Sequence, residues 1–158
     1  MKADGHCGFR AIADQLIPGG EDSFHRVRGD MFHSLTTHPE WYAGPFMDAN
    51  IIEEIIHAVN SGDIEKAEPE HWFRLPEMPY VVATYYNVAV VSLTPAVSVT
   101  YLPLRTAPPA CTRLPIICIA LVNNNHFISV RTNMCAYKEC LHSLYNSGFH
   151  NTVMDYCR

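Results

Sequence analysis

Nothing in the sequence approaches the ~18 consecutive apolar residues of a membrane span, and no apolar stretch follows Lys2, its one early basic residue. The expectation is therefore neither a membrane anchor nor a secretory leader. Runs rich in Lys or Arg are also missing, and 11 basic against 16 acidic residues give a formal charge of −5. That balance argues against a protein whose main partner is a nucleic-acid backbone and suits a cationic peptide better. The six cysteines include no CxxC pair and are unevenly spread, with Cys111, Cys118, Cys135 and Cys140 close together and Cys7 and Cys157 apart from them. With 158 residues, 48% hydrophobic and 17% charged, the chain can fill one core without disulfide staples. Free thiols in a reducing compartment, cytoplasmic or nuclear, are expected. The length fits one domain, and internal repeats and low-complexity segments are absent.

What is present divides into a helical first half and a strand-rich second half. Phe9, Ala11, Ile12, Ala13, Leu16 and Ile17 recur at helical spacing, so a helix is predicted over 7–17, stopped by Pro18-Gly19-Gly20. A second amphipathic helix is predicted from Ser23 to Thr37, with Phe24, Val27, Met31, Phe32 and Leu35 as its stripe and Glu21 and Asp22 at its positive end. Asp48 caps a third helix carrying Ile51, Ile52, Ile55, Ile56 and Val59, closed by Gly62. A fourth, short helix spans Pro76 to Tyr86. Four runs rich in β-branched and aromatic residues then read as strands: Val88 to Leu93, Val97 to Leu102, Ile116 to Val122 and His126 to Arg131. The prolines between 103 and 115 make that stretch an extended connection, and residues after Asn133 form a helix or tail.

The strongest local signal is Asp4-Gly5-His6-Cys7-Gly8-Phe9-Arg10-Ala11, a tight-turn sequence that delivers a cysteine to the first turn of a helix. Unpaired N–H groups and the positive end of the helix dipole stabilise a thiolate there. Gly5 and Gly8 leave room for a substrate carbonyl to approach the N–H groups of the Asp4–Cys7 loop, a candidate oxyanion site. A cysteine nucleophile needs a base, and of nine histidines only His126, after the Asn123-Asn124-Asn125 turn and at a strand start, is placed for that work. His25, His33, His38, His57, His71, His142 and His150 read as surface or partly buried polar residues. Arg10 is expected to pair with a carboxylate, and Trp72, Tyr85 and Tyr86 either line a cleft or fill the core.

These residues resemble the ovarian-tumour (OTU) domain cysteine proteases, most of which are deubiquitinases. The family's D-G-x-C-x-[FY]-R-A opening is present as Asp4 through Ala11, and its closing apolar strand, turn and x-H-[FY]-x-x-V strand as Ile116–Val122 and Asn125–Val130. The segment HWFRLPEMPYVVATYYNVAVVSL, His71 to Leu93, is similar to one in OTU domains of Mutator-like transposon proteins. The resemblance covers about 1–132. It implies an α+β, papain-like fold of OTU type, with a small central sheet flanked by helices, a catalytic domain over 1–134 and a C-terminal helix or tail over 135–158. It also implies Cys7 as nucleophile and His126 as base and then acid. Asp4 stands at the motif aspartate, as part of the catalytic set or as holder of the oxyanion loop. Gly5, His6 and Gly8 would line a narrow channel for a Gly-Gly tail.

The implied partner is ubiquitin, polyubiquitin or a ubiquitin-like modifier, cut after its terminal Gly-Gly through a thioester on Cys7, with no cofactor, nucleic acid or membrane. Where many of these enzymes place Asn or Asp two residues after the histidine, this chain has Ile128. Orientation of His126 then falls to Asp4, to Asn123, Asn124 or Asn125, or to a backbone carbonyl. Two other classes stand beside the enzyme. One is a catalytically weak, OTU-like ubiquitin-binding or transposon-derived interaction module. The other is a small zinc-stabilised domain built on Cys135, Cys140, His142, His150 and Cys157, whose spacing matches no standard zinc site.

Overall fold

The computed structural model describes residues 1–44, 48–60, 65–105 and 114–131. Four α-helices, α1 (Cys7–Leu16), α2 (Phe24–Thr37), α3 (Ala49–Val59) and α4 (Glu77–Tyr86), precede four strands, β1 (Ala89–Leu93), β2 (Ser98–Tyr101), β3 (Ile116–Val122) and β4 (His126–Val130). The sheet has the order β2-β1-β3-β4 and is mixed: β1 runs parallel to β3, while β2 and β4 are antiparallel to their neighbours. The α+β architecture expected from the sequence is therefore present.

Helix α1 is the pivot. Phe9, Ala11, Ile12 and Ala13 are fully buried, and the helix packs on α2 with one side and on β3 and β4 with another. Seven successive buried residues, Cys7 to Ala13, make it an inner helix despite its Arg10, Asp14 and Gln15. Val27, Met31 and Leu35 of α2 are fully buried at the predicted spacing, and Ile55 of α3 joins the same core. Asp48 caps α3 as expected, its carboxylate accepting the Ile51 N–H at 2.9 Å.

Three boundaries differ from the sequence reading. Glu21 and Asp22 are not the first turn of α2 but belong to a separate 3-10 turn, Gly20–Ser23, where they face Arg10 and the N-terminal residues. Helix α3 ends at Val59 with Asn60 as its cap, and Gly62 lies outside the described residues. Helix α4 is closed by Asn87 in the left-handed conformation (φ 53°), a stop that the sequence reading passed over. The expected tail of 135–158, its Cys/His cluster and Cys111 also lie outside the described residues.

The β3–β4 hairpin explains the asparagine run. Asn123 and Asn124 both have positive φ (53° and 59°), and the Asn125 N–H bonds to the Val122 carbonyl at 3.3 Å. This is a turn with two left-handed central residues, which asparagine tolerates better than most residues. Asn125 is then one residue extra before pairing resumes at Val122↔His126. An irregularity of this kind re-aims the side chain that follows it.

Candidate active site

The loop before α1 is held from both sides. Gly5 has φ +82°, and a Cβ there would lie only 2.8 Å from the indole nitrogen of Trp72 and press on the Ala67 carbonyl, so both conformation and space require glycine. The Asp4 carbonyl accepts the Ala67 N–H at 2.8 Å, and Trp72 Nε1 donates to the Ala67 carbonyl at 3.0 Å. The Asp4 carboxylate turns inward. One oxygen accepts the His6 N–H at 3.0 Å, and the other takes both Arg10 Nε (3.0 Å) and Nη2 (2.7 Å). Arg10 also donates to the Glu21 carbonyl and lies 4.0 Å over the Phe24 ring. Burial raises the Asp4 carboxyl, but the hydrogen bonds from Arg10 and the His6 N–H, with the nearby positive charge, outweigh it and hold the group below its ordinary value.

Of the roles left open for Asp4, the geometry fits holder of the loop: its oxygens bond to the His6 N–H and to Arg10, and no contact with the His126 imidazole is present among the described residues. The reading of His6 is corrected. Its side chain is fully buried, with its ring 4.5 Å from that of Phe24 and its Nδ1 3.4 Å from Arg28 Nη1, so it does not line a channel. Arg28, which had no signal in the sequence, donates to the His71 carbonyl (3.1 Å) and the Ala58 carbonyl (2.6 Å) and lies 4.1 Å over the Phe9 ring. Burial pushes its guanidinium down to about 10, which leaves it charged at neutral pH.

Gly8 likewise faces inward. A Cβ there would fall closer to Phe73 Cβ and Cγ than real Cβ atoms come, so the space beside it is filled by Phe73 and is not an open channel. Gly8→Ala is expected to lose about 1–3 kcal/mol of stability by overpacking, read as a lowered urea midpoint at unchanged slope. An unchanged midpoint would show that Phe73 can move aside freely.

Cys7 is the first residue of α1, where its own N–H has no intrahelical acceptor. Its sulfur accepts the Phe127 N–H at 3.3 Å, a contact between residues 120 apart. Cys7 and His126 line the same cleft of about 420 Å³, together with Gly5, Trp72, Asn123 and Asn125. A smaller, largely apolar pocket of about 150 Å³ continues from Cys7 between Trp72, Phe73, Leu121 and Phe127. Cys7, Trp72 and Asn125 line both. Asn124 lines only the smaller one.

His126 is half-buried, and among the described residues its imidazole has no hydrogen-bond partner. Ile128 lies on the same strand face and cannot supply one. Tyr85 and Tyr86 are not cleft residues: their hydroxyls donate to Asp30 of α2. Among the described residues, no cluster of three or more His, Cys, Asp or Glu side chains is placed to hold a metal ion, and no helix is long and apolar enough to cross a membrane.

No protein-family model matches the sequence, and no curated protein sequence does. Solved structures do. The structure of the OTUD1 OTU domain is 20% identical and superposes with a TM-score of 0.58, over 84% of this chain and 83% of its own. The Hazara virus OTU bound to ubiquitin is 14% identical, with a TM-score of 0.55 over 83% of this chain and 77% of its own. The viral OTU domain protease from Dera Ghazi Khan virus is 9% identical, with a TM-score of 0.54 over 83% and 79%. At these identities the likeness speaks to architecture. The chain has the fold of the OTU domains.

Proposed function

We propose that this chain is an OTU-type cysteine hydrolase that cleaves the peptide or isopeptide bond after the C-terminal Gly-Gly of ubiquitin or a ubiquitin-like modifier. One observation carries the reading: Cys7, at the N-terminus of α1, shares a cleft with His126, and its sulfur accepts a hydrogen bond from the residue that follows that histidine. The fold adds support, since one structural neighbour is an OTU bound to ubiquitin.

In this mechanism His126 takes the Cys7 proton, and the resulting thiolate attacks the carbonyl of the terminal glycine. The Cys7 N–H, at the start of α1, stabilises the oxyanion, while the His6 N–H before it is held by the Asp4 carboxylate and fixes the loop. His126 then gives a proton to the leaving lysine amine, and water, deprotonated by His126, releases the thioester. The narrow pocket between Trp72, Phe73 and Phe127 suits a tail without side chains. Exposed Glu65, Glu68 and Glu70, just before Trp72, suit a basic residue upstream of it. A reducing, cytoplasmic or nuclear setting is the one that the uneven cysteine spacing supports. An origin in Mutator-like transposon proteins rests on the His71–Leu93 segment.

A second reading, the catalytically weak ubiquitin-binding module, draws on the absence of a described partner for the His126 imidazole. Ubiquitin carrying a C-terminal electrophile separates the two. The enzyme forms a covalent adduct one ubiquitin heavier, located on Cys7 by peptide mapping. Folded protein that binds ubiquitin and never forms the adduct is the module. Linkage-defined di-ubiquitins then give the preferred linkage.

A further inference from the structure

The proposed reaction divides its two reacting groups between distant parts of the chain, Cys7 on α1 and His126 on the β3–β4 hairpin. Two polar side-chain bridges cross that seam among the described residues. One is the Phe127 N–H on Cys7 Sγ. The other lies at the far end of α1, where Gln15 Nε2 donates to the Cys118 carbonyl at 2.8 Å and Gln15 Oε1 accepts the Cys118 N–H at 2.9 Å. Gln15 thus offers Cys118 the same donor and acceptor pair that a peptide group of a neighbouring strand would offer.

The spacing of the bridges gives them a mechanical meaning. Eight helical residues separate Cys7 from Gln15, roughly 12 Å along the axis. Cys118 is paired with Val130, and Val130 to Phe127 is three strand residues, roughly 10 Å. The helix therefore runs beside the β3–β4 hairpin over nearly equal lengths and is joined to β4 at one end and to β3 at the other. A helix held at one point can rock or slide; held at two, it cannot. The Gln15 amide is half-buried against the sheet with both its groups bonded, its Nε2 also donating to the Ala11 carbonyl of its own helix at 3.2 Å.

Resting on the proposed function, we infer that Gln15 is a positioning residue that sets the distance and angle between Cys7 and His126. It touches neither of them. Misplacement by about an ångström is worth roughly a hundredfold in rate, so the effect of losing the clasp falls on turnover more than on binding. Gln15→Met keeps length and removes both bonds. It is expected to lower kcat for release of a fluorophore from the ubiquitin C-terminus about 10- to 100-fold, with KM within about twofold.

A readout independent of ubiquitin comes from the rate at which iodoacetamide alkylates Cys7, followed by mass spectrometry of its peptide in the full chain. Gln15→Met and His126→Ala each slow alkylation. If Gln15 acts through the Cys7–His126 geometry, the double variant is no slower than His126→Ala alone. Multiplying effects in that cycle, or an unchanged kcat with only a lowered melting temperature, would leave Gln15 a stabilising residue and overturn the inference. Wild-type protein inert towards every ubiquitin substrate would sink the proposed function, while the alkylation cycle still decides the role of Gln15. Should Gln15→Met fail to fold, Gln15→Glu replaces it. Its carboxyl when protonated has the amide's donor and acceptor, so its activity relative to wild type is expected to recover as pH falls towards about 5. A ratio flat with pH would overturn the inference.

Discussion

On the proposed function, Cys7→Ala is expected to lower hydrolysis of ubiquitin substrates by about 10⁴- to 10⁶-fold, the scale of loss when a member of a catalytic unit is removed. The fold should survive. The sulfur is nearly buried and its one described hydrogen bond is the Phe127 N–H, so loss of that bond costs about 1 kcal/mol. His126→Ala keeps the nucleophile and removes proton transfer, for a loss of about 10²- to 10⁴-fold. Fluorophore release from the ubiquitin C-terminus, with ubiquitin binding followed separately, checks both. Turnover that survives in Cys7→Ala would move the chemistry elsewhere.

The largest expected effect on stability comes from Asp4→Ala. The change leaves the Arg10 guanidinium, whose side chain is 6% exposed, without its two-point carboxylate partner. Removing one member of such a pair typically costs about 3–5 kcal/mol. Arg10 keeps the Glu21 carbonyl, the Phe24 ring and the exposed Asp22, which places the expectation at the lower end, about 3 kcal/mol. The His6 N–H loses its acceptor as well, so the loop that presents Cys7 loosens and activity falls with stability.

The pH dependence follows from the same contacts. Asp4 is held below its ordinary value of 3.8 in the folded chain. Its contribution is therefore complete above that value and is lost as pH falls through the lower folded one. Urea denaturation from pH 7 to pH 3 should show wild type losing part of its advantage over Asp4→Ala only at the acid end. A constant gap through pH 3 would mean that the carboxylate charge is not what stabilises the loop.

The segment Asp4 to Ala11 was readable in advance because its interactions are local. The Asp4 carboxylate reaches the His6 N–H two residues on and Arg10 six residues on, and the helix begins at Cys7 because a loop with glycine at a positive φ ends there. The helical stripes of α2 and α3 and the apolar runs of the strands were likewise set by period. Burial follows such periods wherever one face must meet a core. The asparagine turn before His126 belongs to the same class.

Other features had no local trace. His6 and Gly8 looked like channel residues from their place beside Cys7, yet a helix turns successive side chains outward by about 100°, and these two face Arg28 and Phe73. Trp72 became a wall of the cleft only because Ala67 and Gly5 lie under its indole. Gln15 and Cys118 are 103 residues apart, and Cys7 and Phe127 are 120 apart. By itself the sequence determined the candidate thiol, the turn and helix start that place it, and the α+β order, since each depends on neighbours within a few residues. Only the tertiary structure brought His126, already singled out in the sequence, into the thiol's cleft, settled which of Asp4's two expected contacts it makes, and showed which clasp holds α1 to the hairpin. Those facts depend on contacts between segments that meet only when the core closes.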